Sequence, residues 1–230
     1  MKWISDFIDI IFPRSCAVCG KALSSGERDI CINCLIDLPR IDTYTHSNQL
    51  EKLFYGILPV ERVTSYIYYS KESPYNNLIH RMKYSDRPEI GERMATIATK
   101  ELIRQNFFET IDIIIPLPLS KKKKRERGYN QCDYIAEGLS HITGIPVLKD
   151  CVMRNKSNET QTHKTRDERW KNVEGIFSLT KPEQMEGKHI LLIDDILTTG
   201  ATLTSCAIAI QQGCNCRISV FTLAYTYNKI

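Results

Sequence analysis

Two adjacent carboxylates followed by small hydroxyl residues are the feature of this sequence best suited to chemistry. They lie in HILLIDDILTTGATL, residues 189–203, where Asp194 and Asp195 end an apolar run typical of a buried parallel strand. Three threonines and Gly200 follow, where a helix is expected to begin. Backbone N–H groups at a helix start bind phosphate, and paired carboxylates suit vicinal sugar hydroxyls or a hydrated metal. The stretch indicates a ribose 5-phosphate site, with an aspartate helix cap as the simpler alternative.

Four cysteines near the start of the chain have the spacing of a metal site. The spacing is Cys-x2-Cys, eleven residues, and Cys-x2-Cys, formed by Cys16, Cys19, Cys31 and Cys34. Each pair supplies two thiolates from one tight turn, and two pairs complete a tetrahedron around zinc, leaving no open position for catalysis. Two disulfides and a redox pair are the alternatives, but nothing indicates an oxidising compartment. The sequence favours a structural zinc ion.

Composition places the chain among ordinary globular proteins. It has 230 residues, of which 42% are hydrophobic and 25% charged, and its net charge of +4 by itself indicates no nucleic-acid partner. No apolar run approaches the roughly 20 residues of a membrane span. The N-terminal segment contains Asp6 and Asp9, which disfavours a secretion signal. We expect a cytoplasmic protein whose first residues form a short helix against the protein itself; docking to a partner or membrane surface is the alternative.

Strand and helix patterns alternate from about residue 60 onward, which predicts an α/β fold with a mostly parallel sheet and flanking helices. Strands are expected at 63–69, 111–118, 146–152, 173–179, 189–194 and 216–225, and helices at about 73–83, 88–104, 128–144 and 202–212. We divide the chain into a helix and zinc module at 1–45, a linker at 46–60 and an α/β domain at 61–230. Of the other cysteines, Cys151 and Cys206 lie in apolar patterns and are interpreted as small core residues.

At these motifs the chain resembles the ComF family, whose members are amidophosphoribosyltransferase-like proteins linked to bacterial DNA uptake. IDDILTTGAT is similar to the phosphoribosyl-diphosphate (PRPP) signature of type I phosphoribosyltransferases. The four-cysteine module, MKYSDRPEIGERMA at 82–95, IPLPLSKKKKRERGYNQ at 115–131 and QTHKTRDERWKNVEGIF at 161–177 extend the likeness over nearly the whole chain.

The resemblance implies a type I phosphoribosyltransferase fold and a role for each matching position. Asp194 and Asp195 would bind the ribose hydroxyls. Residues about 154–172 would form a mobile hood, and Mg²⁺ would accompany PRPP. In purine-salvage relatives the loop carries an acid that contacts the base, and Thr198 stands there in this chain, so the resemblance disfavours a 6-oxopurine acceptor. The 5-phosphate would contact Thr198, Thr199, Gly200, Ala201 and Thr202, and the pyrophosphate would contact Arg125, Arg127 and Lys83.

The basic run at 121–127 and the function as a whole keep more than one interpretation. The run suits a solvated loop, a pyrophosphate site at Arg125 and Arg127, or electrostatic contact with single-stranded DNA. The chain as a whole suits a phosphoribosyltransferase of unknown acceptor. It also suits a non-catalytic PRPP-sensing protein that binds DNA or partners of the competence machinery.

Overall fold

The computed structural model describes residues 14–42, 49–85, 87–155 and 175–226. The expected N-terminal helix and nearly all of the expected hood lie outside these ranges. No helix within them is long and apolar enough to cross a bilayer. The strands are β1 (Val63–Tyr69), β2 (Ile113–Pro116), β3 (Val152–Arg154), β4 (Phe177–Leu179), β5 (His189–Leu197) and β6 (Arg217–Thr226). The helices are α1 (Ile32–Ile36), α2 (Asn76–Tyr84), α3 (Glu89–Leu102), α4 (Lys121–Arg127), α5 (Gln131–Thr143) and α6 (Ala201–Gly213).

A parallel four-stranded sheet with the order β1-β6-β5-β2 forms the centre of the fold. Alternate residues of β5 pack on opposite faces: Leu191 and Ile193 join a cluster with α2, α3 and α5, whereas Ile190 and Leu192 join one with α6. This two-sided burial explains the continuous apolar run. The predicted α/β class with flanking helices is confirmed. Because every strand of this sheet is parallel, all the carboxyl ends meet at one edge.

Three segments differ from the sequence-based expectations. Strand β5 continues past Asp194 to Leu197, because Asp194, Ile196 and Leu197 still pair with β6. The basic run is a helix, α4, since the Ser120 side chain caps it by accepting a hydrogen bond from the backbone N–H of Lys123 at 3.4 Å. The strand expected at 146–152 is not continuous: Val147 makes a single parallel bridge to the sheet, and Val152 begins a separate antiparallel β3–β4 pair.

The four-cysteine module, residues 14–38, packs against α2 and shares its core. Ala17, Val18 and Leu38 are buried in the same cluster as residues of α2. The side-chain amide of Asn77 donates to the carbonyl of Val18 at 3.1 Å, and the Tyr75 hydroxyl donates to the carbonyl of Cys34 at 3.0 Å. The module is thus fixed to the helix that carries Lys83.

Part of the range expected to be a linker is also packed into the core. Leu50 and Phe54 are almost fully buried with α6 and β5. A Cβ on Gly200 would lie 3.3 Å from the Phe54 ring, and Gly200 has φ +75°. The Phe54 ring therefore packs against the loop after β5. Both the close approach of this ring and the positive φ favour glycine at position 200.

Candidate functional site

The four cysteines of the module converge as their spacing predicts. The sulfur atoms of Cys16, Cys19, Cys31 and Cys34 all lie within 4.8 Å of one another. Cys19 Sγ and Cys31 Sγ are 3.9 Å apart, close to the separation of about 3.8 Å expected for two thiolates on a tetrahedral zinc. Gly20 has φ +76°, as the turn after the first pair requires. All four are free thiols, and the cluster could bind a metal ion.

The two aspartates lie near the carboxyl end of β5, at the edge of the sheet where parallel α/β proteins bind ligands. Asp195 is 5% exposed and Asp194 is partly buried. The backbone N–H of Asp195 donates to Asp194 Oδ1 at 2.8 Å, and the Cys132 thiol lies 3.6 Å from the same oxygen. The backbone N–H of the next residue thus holds the Asp194 carboxylate in place.

Lys83 and Gln131 reach Asp195 from two different helices. Lys83 Nζ lies 2.9 Å from Asp195 Oδ1, and Gln131 donates from its side-chain amide to Asp195 Oδ2. Burial opposes the charge of Lys83, but the Asp195 carboxylate outweighs burial and raises the pKa of Lys83. Asp195 therefore has a charged partner and a neutral donor, one for each oxygen.

Asp194 has no such partner among the described residues. Burial, and after it the charge of Asp195, raises the pKa of Asp194 well above that of an ordinary aspartate. The same surroundings raise the pKa of the Cys132 thiol, by burial first and the Asp194 charge second. Two carboxylates thus share one lysine, so a second positive charge beside Asp194 would be stabilised.

The loop after β5 leads into the open N-terminus of α6. Thr198 and Thr199 are exposed, and the N-cap residue Gly200 has no side chain that could cap the helix. The backbone N–H of Ala201, the first residue of α6, donates to Thr199 Oγ1 at 3.4 Å. A cavity of about 40 Å³ lies in this loop, bordered by residues 194 and 196–203. The other N–H groups of the first turn, the helix dipole and the threonine hydroxyls together suit an anion.

Arg127 belongs to this arrangement, whereas Arg125 does not contact it. The Arg127 guanidinium donates to the Gln131 side-chain oxygen at 2.7 Å and to the Tyr84 hydroxyl at 3.2 Å. Its central carbon lies 4.9 Å from the centre of the Tyr84 ring. Arg125 is exposed on α4 together with Lys121, Lys122, Lys123 and Lys124, and these five cations form no ion pair with a described acid.

Sequence reasoning missed the residues that position the carboxylates. Gln131 is the last residue of the basic motif at 115–131, and Cys132 follows it in the first turn of α5. Their place after β2 is the signal that points to the same edge of the sheet. Arg154 in β3 was also missed: its Nε is buried without a hydrogen-bond partner among the described residues, and the guanidinium lies 5.6 Å from the Phe177 ring centre. No sequence pattern distinguishes Arg154 from other arginines.

Sequence comparisons identify relatives whose names refer to DNA utilization or to competence. The chain is 28% identical over 214 residues to the DNA utilization protein YhgH of Escherichia coli K12, covering 88% of this chain and 89% of the relative. It is 32% identical to competence protein F of Haemophilus influenzae, covering 56% of this chain and 58% of the relative. It is 39% identical to competence protein ComFC of Bacillus subtilis, covering 48% of this chain and 43% of the relative. These homologues confirm the resemblance to the ComF family. No family model matches the chain.

Among solved structures, partial similarities are to phosphoribosyltransferases. The glutamine PRPP amidotransferase of B. subtilis, complexed with ADP and GMP, matches 61% of this chain and 30% of that chain, with a TM-score of 0.40 and 17% identity. The chain thus spans less than a third of that enzyme. Adenine phosphoribosyltransferase of Saccharomyces cerevisiae matches 62% of this chain and 72% of that chain, with a TM-score of 0.39 and 14% identity.

Proposed function

We propose that the chain binds PRPP with Mg²⁺ and transfers its phosphoribosyl group to an acceptor, releasing pyrophosphate, in a process linked to DNA uptake or use. The main support for this proposal is the acid pair near the end of β5, close to the N-terminus of α6. Such a site offers carboxylates for ribose hydroxyls and N–H groups for a phosphate within one short stretch of chain. The ComF relatives support the link to DNA.

In the proposed transfer, the bond between ribose C1 and the pyrophosphate oxygen breaks, and the oxygen keeps the electron pair. A lone pair of the acceptor forms the new bond to C1, and the acceptor's proton passes to solvent. Asp194 and Asp195 hold the ribose hydroxyls and stabilise the positive charge that develops on the sugar. Lys83 and Arg127 stabilise the negative charge of the leaving pyrophosphate. Arg125, on α4, also contacts the pyrophosphate when the ligand is bound.

The 5-phosphate is assigned to the loop after β5. In this proposal it accepts hydrogen bonds from Thr198, Thr199 and Thr202 and from the backbone N–H groups of Gly200 and Ala201. Exposure of the first two hydroxyls supports the assignment, as does Gly200, which has no side chain that could cap α6. On binding, the Ala201 N–H would exchange its bond to the Thr199 hydroxyl for one to the phosphate. The binding energy of this remote phosphate would hold C1 in position for reaction.

Two metal ions belong to the proposal. Mg²⁺ would supply positive charge to the pyrophosphate, and Asp194 and Asp195 fit it because oxygen ligands suit this cation and their charge is only half neutralised by Lys83. Zinc would be structural, held by the four thiolates of the module. A reducing, cytoplasmic location is part of the proposal, because thiolate ligands require reduced cysteines.

Calorimetry with Mg·PRPP, followed by incubation with ribose-labelled PRPP and a small-molecule extract, tests this function. We expect a dissociation constant between about 1 μM and 1 mM, the usual range for substrates, and transfer of label to a new compound. The double variant Asp194→Asn, Asp195→Asn should lose most of the affinity, and the exposed control Glu109→Gln should retain it. Absence of Mg·PRPP binding by the wild-type protein would contradict the proposal.

A PRPP-responsive protein that binds single-stranded DNA is the second candidate. Exposure of all four lysines of α4, without a described acidic partner, favours it. Replacing lysines 121–124 by Gln should then weaken single-strand binding and flatten its dependence on salt, by about one unit of slope or less per lost phosphate contact. Binding of Mg·PRPP without transfer of label, together with that loss, would favour this candidate over the enzyme.

A further inference from the structure

A second cavity in the structure has a volume of about 160 Å³. Its walls come from the end of β2, the start of α5 and the segment that leads into β3. An engineered protein cavity of about 150 Å³ takes up benzene, so this one has room for a molecule with a single six-membered ring.

The charged residues around this cavity favour an anion. Four of them are cations and two are acids, which leaves an excess of two positive charges: Lys121, Lys124, Lys149, Arg154, Asp133 and Asp150. Lys149 also pairs with Glu137 outside the cavity. Burial raises the pKa of Asp133 and disfavours its negative charge, so the balance remains positive.

Arg154 is the cation of this group that the protein leaves unsatisfied. Its Nε is buried and lacks a hydrogen-bond partner among the described residues, while the guanidinium packs on Phe177. The neighbouring Lys121, Lys124 and Lys149 are exposed, so water hydrates them. A buried donor without an acceptor is costly. Arg154 also lines the cavity, so its guanidinium is the partly buried cation available to an anion bound there.

The position of the cavity connects it with the proposed ribose site. Its wall includes Asp133, which directly follows Gln131 and Cys132 in α5. Those two residues contact the aspartates. The wall also includes Pro116, whose strand partner Ile193 directly precedes Asp194. A molecule in the cavity would therefore lie next to a sugar held by the acid pair.

We propose that this cavity binds the acceptor of the transfer, and that the acceptor is a single-ring molecule carrying a carboxylate or a comparable anionic group. This inference rests on the proposed function. Arg154 binds the anionic group and selects for it, and a ring atom with a lone pair faces ribose C1. The exposed lysines around the open part of the cavity stabilise the negative charge of the acceptor.

Matched acid and neutral rings provide the test. Binding to the full chain is measured by calorimetry for nicotinate against nicotinamide, orotate against uracil, and benzoate against benzamide. At least one acid should bind about tenfold more tightly than its neutral partner or better, as hydrogen bonds to charged groups allow. Equal affinity within all three pairs, or no binding of any acid, would overturn the proposal.

Variants separate the role of Arg154 from general charge. Arg154→Gln should abolish the preference for the acid, and Arg154→Lys should keep part of it. Arg217→Gln removes the same charge from an exposed site at the amino end of β6 and should change nothing. Should Arg154→Gln unfold, Lys149→Gln at the cavity rim should still reduce the preference; an undiminished preference in both variants contradicts the proposal.

Binding of Mg·PRPP is measured on the same variants to keep the two hypotheses apart. It should persist in Arg154→Gln, because none of the groups assigned to the sugar or its phosphates is altered. If the wild-type chain prefers the acids but does not bind Mg·PRPP, the transferase function fails while the anion site stands, and its assignment to an acceptor is overturned. If Mg·PRPP binds and no acid is preferred, only the present inference fails.

Discussion

The four-cysteine module and the acid-pair site are built in contrasting ways. The module takes its four sulfur atoms from one short turn and from the start of α1, all within residues 16–34. The acid-pair site takes its groups from α2, α4, α5 and β5, which lie far apart in the sequence. Spacing alone therefore describes the first site, while the second exists only when the sheet and its helices are assembled.

The two sites are nevertheless joined through α2. The first half of this helix is hydrogen-bonded to the module through Asn77, and its second half carries Lys83, which pairs with Asp195. A local cysteine cluster thus supports one wall of a candidate ligand site that is assembled from distant residues. Breaking each site separately shows how strongly the two depend on each other.

The largest effect is expected from Cys19→Ser. The Cys19 side chain is exposed, so the change removes a metal ligand without opening the core. Binding of structural zinc is worth roughly 10–16 kcal/mol in small zinc-finger domains, and an incomplete tetrahedron should lose most of it. Elemental analysis should fall from about one zinc per chain to well below that value.

The control for this change is Cys216→Ser, which alters a cysteine outside the cluster and should retain the metal. The affinity of Cys19→Ser for Mg·PRPP measures the coupling through α2, and we expect it to decrease because Lys83 loses part of its support. Wild-type protein that carries no metal and contains disulfides between these cysteines would contradict the zinc assignment.

An intermediate effect is expected from Asp195→Asn. The substitution leaves Lys83 charged, mostly buried and without its partner. Breaking a buried ion pair from one side costs roughly 3–5 kcal/mol, and some of this is recovered here by partial exposure, so we expect a loss of about 2–3 kcal/mol. Chemical denaturation measures the free energy of unfolding. Adding Lys83→Met should restore much of it, and a double variant no more stable than Asp195→Asn would show that the pair is not the cause.

The smallest effect, and one of opposite sign, is expected from Asp194→Asn. Burial and Asp195 raise the pKa of Asp194 in the folded protein. The folded chain therefore keeps this proton at pH values where the unfolded chain, with a pKa of about 3.9, has lost it. The associated stability is complete below the unfolded pKa and is lost as the pH rises through the folded pKa.

Asparagine resembles the protonated acid, so Asp194→Asn should remove this part of the pH dependence. Above the folded pKa the variant should be more stable than the wild type by about 1 kcal/mol, or roughly 2–4 °C in melting temperature. Melting without ligand at several pH values measures both effects, with Glu109→Gln as the charge control. A profile parallel to that of the wild type would show that Asp194 is charged at little cost.

Much of this molecule was predictable because the relevant patterns are local. The apolar run of β5, Gly144 at the end of α5 and the cysteine spacing each depend on a few neighbouring residues, and each appears as expected. The helical state of the basic run was not predicted, because the Ser120 cap and the left-handed Gly128 that bound α4 are weak signals beside five consecutive cations.

The sequence by itself determined that two carboxylates would stand near a strand end, just before a loop that leads into a helix, since strand burial and helix-start signals are properties of contiguous residues. Only the tertiary structure decided that Lys83 and Gln131 neutralise and orient Asp195 while Asp194 lacks a described cation. It also decided that Arg154 lines a cavity next to them. These relations depend on side chains that α2, α5 and β3 bring together from distant parts of the chain, and a pairing between distant residues has no period or spacing from which it can be inferred.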